Sequence, residues 1–193
     1  RYGSTNEAAI FEMDERGLRI VKNPSAELLA ERQNLDGSIV LATMEGARPL
    51  LVEIQALVNP TNFGYPKRTA SGFDLNRLNL LVAVLEKRTK LKLADKDIYV
   101  NVVGGLKLND PAADLAVAMA IASASAGRSL DEGAVVFGEI GLGGEVRSAT
   151  NWQARIKEAK KLGFTYAIAP KVHKDKFIKG VSDMRQALID YLQ

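Results

Sequence analysis

The stretch from Asn101 to Ala126, NVVGGLKLNDPAADLAVAMAIASASA, constrains this chain most. It reads as a strand running into a glycine turn and then into a helix that opens at Pro111 and packs on its alanines. Asp110 is a good cap and Pro111 suits the first helical position, where its missing N–H costs nothing. The glycines, Lys107 and a helix start also invite a phosphate-loop reading. However, neither G-x-x-x-x-G-K-[ST] nor G-x-G-x-x-G is present, and Pro111 removes a donor from the turn an anion would need. Asp114 falls in the first turn, where the helix dipole favours negative charge, and no second carboxylate at a useful spacing marks it as an acid-base catalyst.

The remaining elements read outward from that helix. Residues 8–21 form a small hairpin turning at Asp14-Glu15-Arg16-Gly17. SAELLAERQ is a short amphipathic helix whose first residue, Ser25, is its expected cap. SIVLATMEG and PLLVEIQALV, separated by Gly46-Ala47-Arg48-Pro49, are antiparallel neighbours at the centre of a sheet. Asn59 to Gly72 is an exposed loop with two Pro and two Gly. From Asp74 to Lys90, Leu75, Leu78, Leu81, Val82 and Leu85 mark one face of a helix. Strands DIYVNVV and AVVFGEIGL, a glycine return into EVRSA, a helix over 151–162, a strand over 166–169 and a helix near 182–191 complete the chain. Thr150 and Gln153 have capping-box spacing. Behind them Trp152, Ile156, Ala159 and Leu162 face the core, with Arg155, Lys157, Glu158, Lys160 and Lys161 towards solvent.

Composition bounds the chemistry. No cysteine is present, so disulfide and thiolate chemistry are excluded, and the single His173 gives no imidazole cluster for a metal. A chain of 193 residues with 47% hydrophobic and 25% charged side chains fits one globular domain. No apolar run reaches the roughly 18 residues of a membrane span, and the first residues lack both an initiator Met and a signal-peptide core. The chain reads as an intracellular piece of something longer. The formal net charge of +3 permits nucleic-acid contact without requiring it.

Two blocks, PAADLAVAMA and FGEIGLGGEVRSATNWQARIKEAKKLGFTYAIAP, resemble the proteolytic domain of the Lon protease family. The resemblance implies an α/β (α+β) fold of the ribosomal-protein-type βαβ superfamily, with mixed sheets and packed helices. In that family the serine nucleophile lies in a D-G-P-S-A-G turn and its lysine partner early in a later helix. Ala112 stands at the serine position and Gln153 at the lysine position. A methyl group and an amide cannot supply a hydroxyl nucleophile and its amine base. The resemblance therefore implies an inactive peptidase frame built by Pro111, Ala113, Gly138, Glu139, Ala169 and Pro170.

The fragments NPSAELLAERQNLDGSIVLATMEGARPLLVEIQALV, GFDLNRLNLLVAVLEKR and VGGLKLNDPAADLA are similar to the C-terminal Lon-like domain of the bacterial RadA (Sms) family of recombination and DNA-repair ATPases. Residues 1–7 then correspond to the tail of a K-N-R-F-G motif, with Tyr2 in place of Phe, and 8–193 to a single Lon-like domain. The resemblance implies a non-catalytic scaffold in a cytoplasmic protein forming hexameric rings on single-stranded or branched DNA. Branch migration with the RecA recombinase goes with it. ATP with Mg and a zinc finger are expected in an N-terminal part, no cofactor in this segment, and no membrane.

Under that reading Lys67, Arg68, Arg77, Lys107, Arg147 and Arg155 are the candidate phosphate contacts, with an Asp74 ion pair or a subunit contact as the alternative for Arg77. Two further readings stay open. One is a pure oligomerisation or protein-binding module. The other is a hydrolase with a relocated nucleophile, Ser123, Ser125 or Ser148 with Lys157 or Lys107.

Overall fold

The computed structural model describes residues 11–15, 17–21, 23–62 and 64–192. The elements in chain order are β1 (Phe11–Asp14), β2 (Gly17–Ile20), α1 (Pro24–Leu29), β3 (Ser38–Glu45), β4 (Arg48–Pro60), β5 (Arg68–Ser71), α2 (Leu75–Thr89), β6 (Lys96–Val102), α3 (Asp114–Ala126), β7 (Ala134–Val136), β8 (Glu139–Ile140), β9 (Val146–Arg147), α4 (Trp152–Lys161), β10 (Tyr166–Pro170), β11 (Ile178–Val181) and α5 (Met184–Tyr191). A mixed α/β fold results. Seven strands form one sheet in the order β11-β10-β7-β3-β4-β6-β5. The run β11-β10-β7-β3 and the pair β5-β6 are parallel, while β3-β4 and β4-β6 are antiparallel. The expected central hairpin is β3-β4, in register from Ser38↔Gln55 to Glu45↔Arg48.

Every residue of β3 from Ser38 to Thr43 is buried, which requires cover on both faces of the sheet. The helices supply it in two groups. On one side α2, α3 and α5 pack together, and α3 is buried at every position from Asp114 to Ser123. An apolar helix without a polar face has no other stable place. On the other, α1 and α4 lie against β3 and β4. Ser25 of α1 joins them, donating to Glu158 Oε1 of α4 at 2.9 Å and accepting from the Leu51 amide at 3.1 Å.

The structure corrects several local expectations. Ser25 is buried; the cap of α1 is Asn23, whose side chain accepts from the Ala26 amide, and Pro24 follows at the first helical position. The segment 59–72 is not all loop. β4 continues to Pro60, and Arg68–Ser71 adds an edge strand parallel to β6. Backbone pairing needs no apolar periodicity, so composition alone hid this strand. Leu75, expected on the buried face of α2, is the first residue of that helix and 45% exposed. Asp74 caps that helix by accepting from the Arg77 amide at 2.7 Å. β1 and β2 form the expected hairpin; the motif at residues 1–5 lies outside the described residues.

The capping box of α4 does not form. Asn151, not Thr150, is the cap, in the left-handed region at φ 53°, with no side-chain capping bond, and Gln153 is exposed. The Thr150 carbonyl instead accepts from Arg155 Nε at 3.0 Å. Arg155, expected on the solvent side, is fully buried.

Candidate functional site

The glycine turn after β6 reverses the chain at Gly104 and Gly105, whose φ values of +84° and +68° favour residues without a Cβ. The chain then reaches Asp110 and a single 3-10 turn, Pro111–Ala113, which leads straight into α3. Asp110 caps as expected, its Oδ1 accepting from the Ala112 amide at 3.0 Å. Its second oxygen collects three donors: Thr43 Oγ1 at 3.0 Å, the Met44 amide at 3.1 Å and Arg155 Nη1 at 2.6 Å. Burial opposes ionisation of Asp110, but the hydrogen bond and charge of Arg155, with the Ala112 and Met44 amides, outweigh it and hold the carboxyl below its ordinary range.

Arg155 reaches this point from α4. Its Nη1 also donates to the Ala42 carbonyl at 2.7 Å, and the guanidinium carbon lies 5.6 Å from the centroid of the Phe137 ring. Its Nη2 is a buried side-chain nitrogen without a hydrogen-bond partner; the Phe137 π-face partly compensates for that. One side chain thus ties α4 to β3 and to the start of α3.

A second ion pair braces the same helix start. Asp114, 1% exposed, receives Arg77 Nε at 2.9 Å on Oδ1 and Arg77 Nη2 on Oδ2. Arg77 Nη2 also donates to the Ile140 carbonyl at 2.8 Å, and the Ile140 amide returns a bond to Asp114 Oδ2 at 3.1 Å. The hydrogen bond to Asp114 raises the Arg77 pKa against the opposing effect of burial. The partner of Arg77 is therefore Asp114, 37 residues away, rather than Asp74. Ala112 sits between the two pairs at 3% exposure, its carbonyl accepting from the Gly138 amide at 2.8 Å. Leu115 donates to the Gly138 carbonyl at 3.0 Å. A Cβ at Gly138 would lie 2.9 Å from Val146, so only glycine lets these segments close together.

Beside this frame runs a groove of about 390 Å³ lined by Arg77 and by the carboxylates Asp74, Asp110, Asp114 and Glu139. Arg77, its side chain 30% exposed, faces this acidic groove with its guanidinium held by Asp114. Arg155 is fully buried. Arg68 is engaged as well, donating to the carbonyls of Lys67, Lys96 and Leu93. Lys67, Lys107 and Arg147 remain exposed, although Arg147 pairs with Glu145 at 2.9 Å. The Glu145 backbone amide leads in holding its carboxyl below the ordinary range, with Arg147 and the Gly143 amide contributing.

The alternative nucleophiles are placed as follows. Ser123 is buried, accepting from the Gly37 amide at 2.8 Å and donating to the Arg128 carbonyl at 2.5 Å, so it holds a loop rather than faces a cleft. Ser125 is half-buried and Ser148, Lys157 and Gln153 are exposed. Among the described residues no group of three or more His, Asp or Glu could hold a metal, and no helix is long and apolar enough to cross a membrane.

Sequence reasoning found Asp110 as a cap but missed both ion pairs. The available signal was Arg155 three residues after Trp152 and beside Ile156, on the core side of α4 by helical spacing. It also missed a lysine-rich return between β10 and β11, visible as KVHKDK at 171–176.

Comparison with known proteins places this architecture. The family described as ChlI, subunit ChlI of Mg-chelatase, matches residues 77–173, from Arg77 of the second ion pair to His173. The chain is 53% identical over 171 residues, 88% of its length, to the DNA repair protein RadA of Halalkalibacterium halodurans, and covers 37% of that protein. It is 48% identical over 196 residues to RadA of Bacillus subtilis, with 97% of the chain and 43% of that protein covered. To RadA of Aquifex aeolicus it is 47% identical over 171 residues, covering 89% of the chain and 38% of that protein. The chain thus spans about two fifths of the length of these relatives. With just over half of its residues matched by the family model and nearly all of them by a RadA segment, the chain belongs to the family described as subunit ChlI of Mg-chelatase and is of the RadA kind within the part it spans.

Proposed function

We propose that this chain is a non-catalytic, Lon-like scaffold domain of a RadA-type DNA-repair protein, one that supports ring assembly and touches DNA during branch migration. The observation that carries this reading is the 53% identity to a DNA repair protein across 88% of the chain. The whole protein, in this account, is a DNA-dependent ATPase that forms a hexamer, works with the RecA recombinase, and holds its ATP, Mg and zinc sites outside this segment.

The Lon-like assignment rests on the frame. The position expected for a nucleophile holds Ala112, which is buried, and the position expected for its base holds the exposed Gln153. Between them the polar groups are committed to each other through Asp110–Arg155 and Asp114–Arg77. Such pairs fix a geometry and leave neither Asp110 nor Asp114 free to activate a hydroxyl. The second reading, an assembly module without DNA contact, is favoured by the engagement of Arg68, Arg77 and Arg155 inside the fold.

Sizing the chain in solution while measuring its affinity for labelled DNA separates the two. DNA affinity that falls with salt supports the first reading; assembly without affinity supports the second. Hydrolysis of a fluorogenic peptide or labelled casein by the purified chain would overturn both.

A further inference from the structure

Parallel strands usually need a crossover of about a dozen or more residues. β10 and β11 are parallel neighbours joined only by residues 171–177. To close so short a connection, the chain must double back along the strands it joins. Lys171 passes so close that a Cβ on Gly180 would meet its Cα at 2.9 Å, and the Lys171 amide donates to the Val181 carbonyl at 3.0 Å. The return is pinned along its length. The His173 amide donates to the Pro170 carbonyl at 3.1 Å. His173 Nε2 accepts from the Ala149 amide at 3.1 Å, and its ring stacks on Trp152 with centroids 5.1 Å apart. Phe177 is buried beneath the return, and its amide donates to Asp175 Oδ1 at 2.8 Å.

What this fixed segment displays is charge. Lys171, Lys174 and Lys176 are exposed and line one open groove of about 700 Å³. None of the three forms an ion pair among the described residues. The acid on that rim, Asp175, is taken by Lys160 Nζ at 3.4 Å. Three lysines against Asp175 give residues 171–176 a net charge of +2, out of +3 for the entire chain. Residues 171–176, like residues 87–92, are thus one basic segment of the chain. Lys179 does not belong to it, since Ile178 and Gly180 face the groove and strand alternation turns residue 179 the other way.

We propose that the 171–176 return is a docking surface for the sugar-phosphate backbone of nucleic acid, with Lys171, Lys174 and Lys176 as the phosphate contacts. This rests on the DNA-contacting reading above and adds a location outside the candidate residues there. The chemistry selects the partner. Lysine ammonium groups are point charges without the planar fork that reads a single phosphate or a base edge. The one aromatic ring lining the groove, His173, is already stacked on Trp152. A row of point charges on a pinned backbone suits a continuous polyanion read without regard to sequence. An anionic membrane is disfavoured because Val172 is the one large exposed apolar side chain in the segment, and stable attachment takes a stronger apolar anchor.

The test compares the chain with its triple variant Lys171→Gln/Lys174→Gln/Lys176→Gln and with Lys67→Gln/Lys107→Gln. Affinity for a fluorescent 30-base-pair duplex is read by anisotropy at several salt concentrations. All three lysines are exposed, so the triple variant should melt with the parent, checked by circular dichroism. Three lost phosphate contacts should reduce the slope of log affinity against log salt by about 2.7 and weaken binding at least tenfold at low salt. If the parent binds and the triple variant keeps its affinity and slope, this surface is wrong while the DNA reading stands. If the parent binds no DNA at all, both fall. Equal binding of phosphatidylserine vesicles and duplex, lost together in the triple variant, would overturn nucleic acid as the occupant.

Discussion

Arg155 Nη1 lies 2.6 Å from Asp110 Oδ2, joining the buried face of α4 to the residue that caps the 3-10 turn leading into α3. The two residues are 45 positions apart, and neither is more than 9% exposed. A charge so placed is held by its partner, and removing one side leaves the other buried and unpaired. Arg155→Ala should therefore lower unfolding stability by about 3–5 kcal/mol, read from urea denaturation. The double variant Asp110→Asn/Arg155→Leu should recover part of the loss, because the uncompensated charge is gone. A loss in the double variant equal to the sum of the single losses would show the pair to be uncoupled.

The Asp114–Arg77 pair gives a similar expectation with a different readout. Arg77→Gln should destabilise by about 1–3 kcal/mol by leaving the buried Asp114 carboxylate short of donors. The salt dependence of DNA affinity should not change, since Arg77 faces a groove of carboxylates. A flatter salt slope in a variant of parental stability would return Arg77 to the DNA-contacting set.

Ser123 should behave as a structural residue. Ser123→Ala removes the acceptor of the Gly37 amide, and a Cβ at Gly37 would lie 2.2 Å from the Ala56 carbonyl oxygen, so that turn has little room to adjust. A loss of about 1–3 kcal/mol is expected, measured as a lower unfolding midpoint, with no change in any peptide turnover.

His173 links stability to pH. Burial, then the charge of Arg155, lowers its pKa from the ordinary 6.5. The neutral ring is the form that accepts from Ala149. The unfolded chain therefore binds the proton more readily, and stability from this group is complete above about pH 6.5 and declines as pH falls towards the folded pKa. The chain has one histidine, so its proton resonance reports the folded value directly. Melting temperatures at pH 5.5 and 7.5 should differ more for the parent than for His173→Gln.

The elements were more legible in the sequence than the site was. The central β3-β4 hairpin, the cap at Asp110 and the buried α3 follow from local pattern: β-branched runs, cap chemistry and an alanine-aliphatic stretch; the helix expected from Pro111 opens as a 3-10 turn and becomes α3 only at Asp114. β5 was hidden because an edge strand paired through its backbone carries no apolar signature. Arg155 was misread because charge outweighed helical position. Its burial depends on Asp110, the Ala42 carbonyl and Phe137, which no local window contains. Gln153 has capping-box spacing, but the left-handed Asn151 moved the cap by one residue. The lysines at 171–176 were plain in the sequence; what turns them into a surface is the tightness of the β10-β11 connection, a matter of topology.

The central claim is that this chain is a scaffold that meets DNA through fixed positive charge. Its most direct test is the affinity of the parent chain for a 30-base-pair duplex between 50 and 200 mM salt, about the range over which phosphate contacts are most visible. The account expects log affinity to fall linearly with log salt, with a slope of about −2.7 or steeper for three or more phosphate contacts. Undetectable binding at the lowest salt, or an affinity that does not change across the range, would contradict it.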